Sequence, residues 1–240
     1  MGVLLDVAFP PEHFDGGGAS GSAGLSAGAW AKVTFLEDPV CDGCGAPFAY
    51  ALGDGVRCPP CLARPRAFDR ARAACLYDEH SRELILPFKH ADRPELGELF
   101  AVWLGRAASD LFDGAEVVAP VPLHPGRLWR RRYNQAAEMA RPLARSRGLP
   151  FAPDALRRKR ATDSQGAKSG GARRRNVAGA FDLTPSGRRR IEGRRVLLVD
   201  DVMTTGATLE ACARALKAAG AAAVDAAVVA RVRETRDDSI

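Results

Sequence analysis

Short, nearly uninterrupted apolar runs alternate with stretches of helical spacing from about residue 70 onward. Residues 71–77, 116–121, 195–199 and 224–229 are too short for core helices, and their continuous apolar content predicts strands buried on both faces. Residues 81–88, 94–107, 134–145 and 205–219 carry helical patterns instead. In the last of these, Leu209, Cys212, Ala213 and Leu216 share one face, and Gly220 is placed to end the helix. Strands and helices in alternation predict an α/β fold, a mainly parallel sheet with helices on both faces. No internal repeat is visible in this part.

The chain before residue 70 reads differently. Residues 16–28 are rich in glycine and serine with little periodicity, so residues 1–35 read as a loose segment. A cysteine cluster follows between Cys41 and Cys61, then a Pro/Arg-rich connector over 64–70. Residues 157–180 are again aperiodic, basic and rich in Gly, Ser and Ala. A loop of that length is either a functional lid or disorder.

Composition narrows the picture. A chain of 240 residues holds one sizeable α/β domain and something small. No apolar run approaches a bilayer span, so no membrane insertion is expected. The start, MGVLLDVAF, lacks the basic region of a signal peptide and carries Asp6, which makes the cytoplasm the expected location. Four of the six cysteines form two CxxC pairs, Cys41/Cys44 and Cys58/Cys61, separated by a stretch with Gly45, Pro47, Gly53 and Gly55. Each pair is a knuckle that presents two thiolates, and together they close a tetrahedral site for a structural zinc with no open coordination position. Cys75 and Cys212 lie in apolar periodic stretches and are expected in the core. The net charge of +6, much of it in 127–132 and 157–175, favours anionic partners; phosphate-rich small molecules and nucleic acid both remain open.

The most informative segment joins a strand to a helix. Residues 195–199 deliver a buried strand whose carboxyl end carries Asp200 and Asp201 side by side. In open α/β folds ligands bind at that edge. Two adjacent carboxylates there are costly unless they meet hydroxyls or a metal ion. Thr204, Thr205, Gly206, Ala207 and Thr208 then turn into a helix N-terminus. Free backbone N–H groups, small side chains and three threonine hydroxyls make a cradle for a phosphate. A threonine-capped turn is the plainer reading, but it leaves two acids at the end of so apolar a strand unexplained.

The whole string VLLVDDVMTTGAT, residues 196–208, resembles the signature of type I phosphoribosyltransferases, which bind phosphoribosyl pyrophosphate (PRPP). The resemblance implies that Asp200 and Asp201 hold the ribose 2′- and 3′-hydroxyls, and that Thr204, Thr205, Gly206, Ala207 and Thr208 hold the 5′-phosphate. Further matches follow in order: Pro120-Val121-Pro122-Leu123-His124, Arg127-Leu128, RRYNQ at 131–135, Thr162 and Gln165, and RRRNVAGAF at 173–181. Over roughly residues 36–234 the chain is similar to the ComF family, competence-associated proteins with a zinc ribbon ahead of a phosphoribosyltransferase-like domain. The implied organisation is an N-terminal segment over 1–35, a zinc ribbon over 36–66 and a phosphoribosyltransferase-like domain over 70–234.

That resemblance carries further expectations. Transfer from PRPP needs a held pyrophosphate, a stabilised ribosyl centre and Mg²⁺ bridging the phosphates. The turn with Pro122, Leu123 and His124 takes the place of the pyrophosphate loop, although His124 reads first as a structural residue. Residues 157–175 resemble the lid that excludes water. The expected catalytic residues are Asp200, Asp201, Arg173 and Gln165, with Thr162 and the other arginines of 173–175 in the lid. His80 and His90 read as surface residues, and Asn134 as a helix cap. Upstream, Leu25 to Trp30 resembles an LCxxCW knuckle with serine and alanine in the cysteine positions, and residues 11–17 keep only His13 as a conceivable ligand. The implied functions are phosphoribosyl transfer to an acceptor that no element names, or a non-catalytic PRPP-sensing protein that binds single-stranded DNA in competence. PRPP, single-stranded DNA, proteins of the competence machinery and a second copy of the chain are the partners implied. Against a DNA surface, aromatics are only 7% of the chain and no stacking platform stands out.

Overall fold

The continuous apolar runs form strands in the computed structural model, which describes residues 24–89, 93–160 and 175–233. In chain order the strands are β1 (Ala71–Leu76), β2 (Val117–Pro120), β3 (Leu156–Arg158), β4 (Phe181–Leu183), β5 (Arg195–Met203) and β6 (Ala223–Arg231). The helices are α1 (Ala27–Lys32), α2 (Pro59–Ala63), α3 (Glu79–Lys89), α4 (Leu96–Ala107), α5 (Pro125–Arg131), α6 (Gln135–Ser146), α7 (Pro185–Ile191) and α8 (Ala207–Ala218). β1, β6, β5 and β2 lie side by side in that order, and every neighbouring pair is parallel.

Alternation within the apolar runs explains why both faces are covered. Val196 and Leu198 of β5 join Val224, Ala226 and Val228 of β6 in one core, against Leu209, Cys212, Ala213 and Leu216 of α8. Leu197 and Val199 point the other way, with Ala227 and Val229, into a second core built from α3, α4 and α6. Side chains alternate along a strand, so a run that is apolar at every position must be sandwiched. The face expected on α8 is the buried one, and Gly220, with φ of 93°, follows the helix cap as expected. Cys75 and Cys212 are both fully buried; burial pushes the Cys75 thiol up to about 12 and Cys212 well above its ordinary value, so both are packing residues.

Two expectations are corrected in detail. Residues 157–180 are not one loop: Arg157 and Arg158 belong to β3, which pairs antiparallel with β4. Phe181 and Leu183 bury against the α8-side core, while Arg157 and Lys159 pair with Asp182 at 3.2 and 2.8 Å. Next to this pairing Arg160 donates to the carbonyls of Asn176 and Ala178. In addition, α5 and α7 were not anticipated. Each begins with proline behind a side-chain cap, His124-Pro125 and Thr184-Pro185.

The described part of the N-terminal segment packs on the domain. Ser26 caps α1, and residues 34–36 run antiparallel beside β1 through Leu36 N–H to the Ala74 carbonyl and Leu76 N–H to the Thr34 carbonyl. Trp30 and Phe35 meet Trp103 of α4 edge to face at 5.9 and 4.9 Å between ring centroids. Residues 1–23, His13 among them, lie outside the described residues. Among the described residues no helix is long and apolar enough to cross a membrane.

Candidate functional site

The parallel register sets the site. Pro120 lies level with Val199, and the Val121 N–H donates to the Val199 carbonyl at 2.9 Å. The turn with Pro122, Leu123 and His124 therefore leaves β2 beside Asp200 and Asp201 at the carboxyl edge of β5. The acids are packed tightly: the Asp201 N–H donates to Asp200 Oδ1 at 2.9 Å, and the Val202 N–H to Asp201 Oδ1 at 2.5 Å. Lys89 at the end of α3 reaches Asp201 with Nζ 3.3 Å from Oδ2. Solvent still touches part of Asp200, but loss of water around its carboxyl and the neighbouring Asp201 charge push it up to about 7. A carboxylate in that condition gains from any group that donates to it.

The loop after β5 is shaped for an anion. Gly206 takes the left-handed conformation, φ of 72°, that turns the chain into α8. The first-turn N–H groups of α8 lack intrahelical acceptors. Thr204 is exposed, Thr205 and Thr208 are half-buried, and Gly206 and Ala207 are buried. The buried Thr205 hydroxyl has no hydrogen-bond partner among the described residues. Buried polar atoms are nearly always paired, so this hydroxyl is free to accept a partner should the turn open toward a ligand.

Beneath the loop lies an arrangement the sequence reading missed. Glu210 of α8 is completely buried, and its carboxylate meets Arg66 at 3.0 Å, Arg64, and Arg214 at 3.3 Å. Arg66 also donates to the Thr205 carbonyl at 2.9 Å. Burial alone would raise the Glu210 carboxyl, but hydrogen bonds from Arg66 and Arg64 outweigh it and hold the group below its ordinary value.

His124 is the N-cap of α5, its Nδ1 accepting the Gly126 N–H at 3.2 Å. The RRYNQ residues, for which the sequence offers no role beyond the Asn134 cap, join three elements around the site. Tyr133 donates to the Phe88 carbonyl at 2.5 Å and Gln135 to the Lys89 carbonyl at 3.2 Å. Asn134 caps α6 and donates to the Val121 carbonyl at 3.0 Å. They fix the end of α3, and with it Lys89, against the turn after β2. Thr162, Gln165, Arg173 and Arg174 lie outside the described residues, as does His90. Arg175 and His80 are exposed.

The four knuckle cysteines converge as their spacing predicts. Their sulfurs all lie within 4.8 Å of one another, and Cys44 and Cys58 are 3.6 Å apart. Four sulfurs at the ordinary ~2.3 Å from a zinc ion stand roughly 3.8 Å from each other. The N–H groups of Cys44 and Cys58 donate to Cys41 Sγ at 3.5 and 3.1 Å. Contacts among the sulfurs hold the Cys41 thiol below its ordinary range and push Cys44 and Cys58 above it, so without a cation the four cannot all ionise together. The cluster thus fits a structural zinc. It docks on the sheet through Gly45, where φ is 67° and a Cβ would stand 2.7 Å from the Ala71 carbonyl oxygen of β1. Arg72 of β1 fastens the same knuckle by donating to the Asp42 carbonyl at 3.2 Å.

Comparison with known proteins agrees with this geometry. Residues 134–240 match the phosphoribosyl transferase domain family. The chain is 31% identical over 212 residues to the DNA utilization protein YhgH of Escherichia coli K12, covering 83% of this chain and 90% of that one. It is 32% identical over 202 residues to competence protein F of Haemophilus influenzae, covering 82% and 86%. A shorter segment of 48 residues is 48% identical to an adenine phosphoribosyltransferase of Rhodococcus jostii, 20% of this chain and 27% of that one.

Proposed function

The chain belongs to the family of competence protein F and the DNA utilization protein YhgH, and from that premise we propose that it binds PRPP as its Mg²⁺ complex and acts in the cytoplasm in the handling of DNA taken up by the cell. One observation carries the ligand: a crowded acid pair stands beside a glycine-turned helix N-terminus that contains an unpaired buried hydroxyl. The acids accept from the ribose 2′- and 3′-hydroxyls. The N–H groups of α8 and the hydroxyls of Thr204, Thr205 and Thr208 donate to the 5′-phosphate. Lys89, beside Asp201, orients that carboxylate. The turn with Pro122, Leu123 and His124 lies where the pyrophosphate would rest, and Mg²⁺ would neutralise charge between its phosphates. Transfer of the phosphoribosyl group to a nitrogenous acceptor is the reaction such a site serves.

Calorimetric titration of the zinc-loaded protein with PRPP and Mg²⁺ tests this. Micromolar binding at one site per chain is the expected result, and no heat at millimolar ligand would overturn it.

A second reading, PRPP sensing without transfer and with single-stranded DNA as the macromolecular partner, is favoured by one surface. Arg188, Arg189 and Arg190 of α7 are exposed, near the β3–β4 hairpin that carries Arg157, Lys159 and Arg160. A single-stranded oligonucleotide should then bind with an affinity that falls about tenfold or more between 50 and 200 mM salt. Replacing the three α7 arginines by glutamine should weaken that binding and leave PRPP titration unchanged. Salt-independent binding, or none, excludes this reading.

A further inference from the structure

Resting on the PRPP reading, we infer that Arg66 is a positioning residue for the phosphate loop, supplied by the cysteine module, so that metal binding at the four thiolates and phosphate binding at residues 204–208 are coupled.

The path is short and specific. Cys58 occupies the N-cap position of α2 and Cys61 lies within the helix, so a metal held by both would fix it from both ends of one knuckle. The chain leaves α2 and carries Arg64 and Arg66 directly under α8. The Arg66 side chain is only 12% exposed and enters from the module side. From the other side its Nη1 is shared between Glu210 Oε1 at 3.0 Å and the Thr205 carbonyl at 2.9 Å. Residue 205 immediately precedes the left-handed Gly206, and a Cβ on Gly206 would sit 3.6 Å from Arg66 Nη1. The guanidinium therefore braces the loop from behind at the point where the backbone turns toward the ligand.

The chemistry makes this a coupling and not only a contact. Glu210 has no solvent access, so its charge depends on its arginines. If α2 moves when the thiolates lose their metal, Arg64 and Arg66 move with it. Glu210 then keeps Arg214, itself half exposed, and the Thr205 carbonyl loses its brace. A loop that must be ordered by the phosphate binds it less tightly than one ordered beforehand. Because coupling free energies are reciprocal, a phosphate that holds the loop must also hold the metal site. A lysine keeps the charge and could serve both acceptors from one nitrogen, but its more strongly hydrated ammonium is held less well in so enclosed a position than a guanidinium.

The test uses the full-length zinc-loaded chain. Zinc transfer to a chromogenic chelator is timed with and without saturating PRPP and Mg²⁺, and PRPP affinity is measured on the same samples. The wild type should release zinc several-fold more slowly with PRPP present, and Arg66→Ala should lose that protection. Arg66→Ala should also bind PRPP about tenfold more weakly, with one zinc per chain still bound, and Arg66→Lys should recover only part of the affinity. Glu210→Gln, which keeps the shape and an acceptor, should uncouple the two sites likewise if the alanine variant folds poorly. A wild type that binds PRPP with unchanged zinc release, and an Arg66→Ala protein that binds it as tightly, would overturn the inference. No PRPP binding by the wild type sinks the ligand reading, and this one with it.

Discussion

Changing Asp200 and Asp201 together to asparagine should weaken PRPP binding by at least about a hundredfold while leaving the protein folded. Each carboxylate that accepts from a ribose hydroxyl makes a charge-assisted bond worth about 1.5–3 kcal/mol, and two such losses amount to roughly 10²- to 10⁴-fold in affinity. Asparagine preserves size and one acceptor, so the loss reports charge. The substitution also relieves the repulsion of two adjacent acids in a desolvated edge, and the ligand-free melting temperature of the double variant at pH 8 should equal or exceed that of the wild type. A double variant that still binds within threefold of the wild type would remove the acid pair from the site.

The same pair gives the ligand-free protein a pH dependence of defined sign. The Asp200 carboxyl stands near 7 when folded and at its ordinary value of 3.8 when unfolded. Between those values the folded chain binds more protons than the unfolded one, so this group's contribution to stability declines as pH rises from about 4 to about 7 and is flat beyond. Ligand binding runs the opposite way, since hydroxyl donors favour the charged carboxylate. Thermal melts and PRPP titrations across pH 5 to 8, on wild type and the double variant, should therefore show opposed contributions from this pair, read as the difference between the two proteins, since the ligand's own phosphates titrate at about pH 6 in both.

What could be read from the sequence follows from how local the determining interactions are. β5 was legible because Val196 to Val199 are apolar at consecutive positions, and Asp200 and Asp201 interrupt that run abruptly. The cysteine cluster was legible because CxxC spacing fixes two ligands within one turn of chain. The β3–β4 hairpin was not, since its three-residue strands set Arg157 against Asp182 and Arg158 against Phe181, too few apolar positions for an alternation to show. α5 and α7 are too short for a helical period to repeat, and only the proline after each cap marks them. The Arg66–Glu210 pair joins residues 144 positions apart. Arginines in a proline-rich connector look like solvated surface, and one charge on a buried helical arc looks like an edge residue. Glu210 sits between the buried Leu209 and Ala211, and that conflict was the only hint. Lys89 was hidden for the same reason: its partner Asp201 is reached only once α3 folds across the sheet edge.

Stripping the metal should have the largest effect on folding itself. The interior of the cysteine module consists of Cys41, Cys44, Ala46, Cys58 and Cys61 with Phe48 beside them, so apolar burial alone cannot hold it. In small domains of this kind metal binding supplies folding free energy of about 10–16 kcal/mol near neutral pH. The two cores flanking the sheet contain none of these cysteines. Exhaustive chelation, or Cys41→Ser with Cys44→Ser, should therefore unfold the module and leave the sheet. Limited proteolysis should cut within residues 41–61, and amide exchange should rise to unprotected rates there while β5 and β6 stay protected. Restoring zinc to the chelated wild type should reverse both changes, whereas the serine variant should not respond. A protein that contains no zinc by elemental analysis and yet resists protease through residues 41–61 would show that the four sulfurs hold the module by themselves, and the metal assignment would fall.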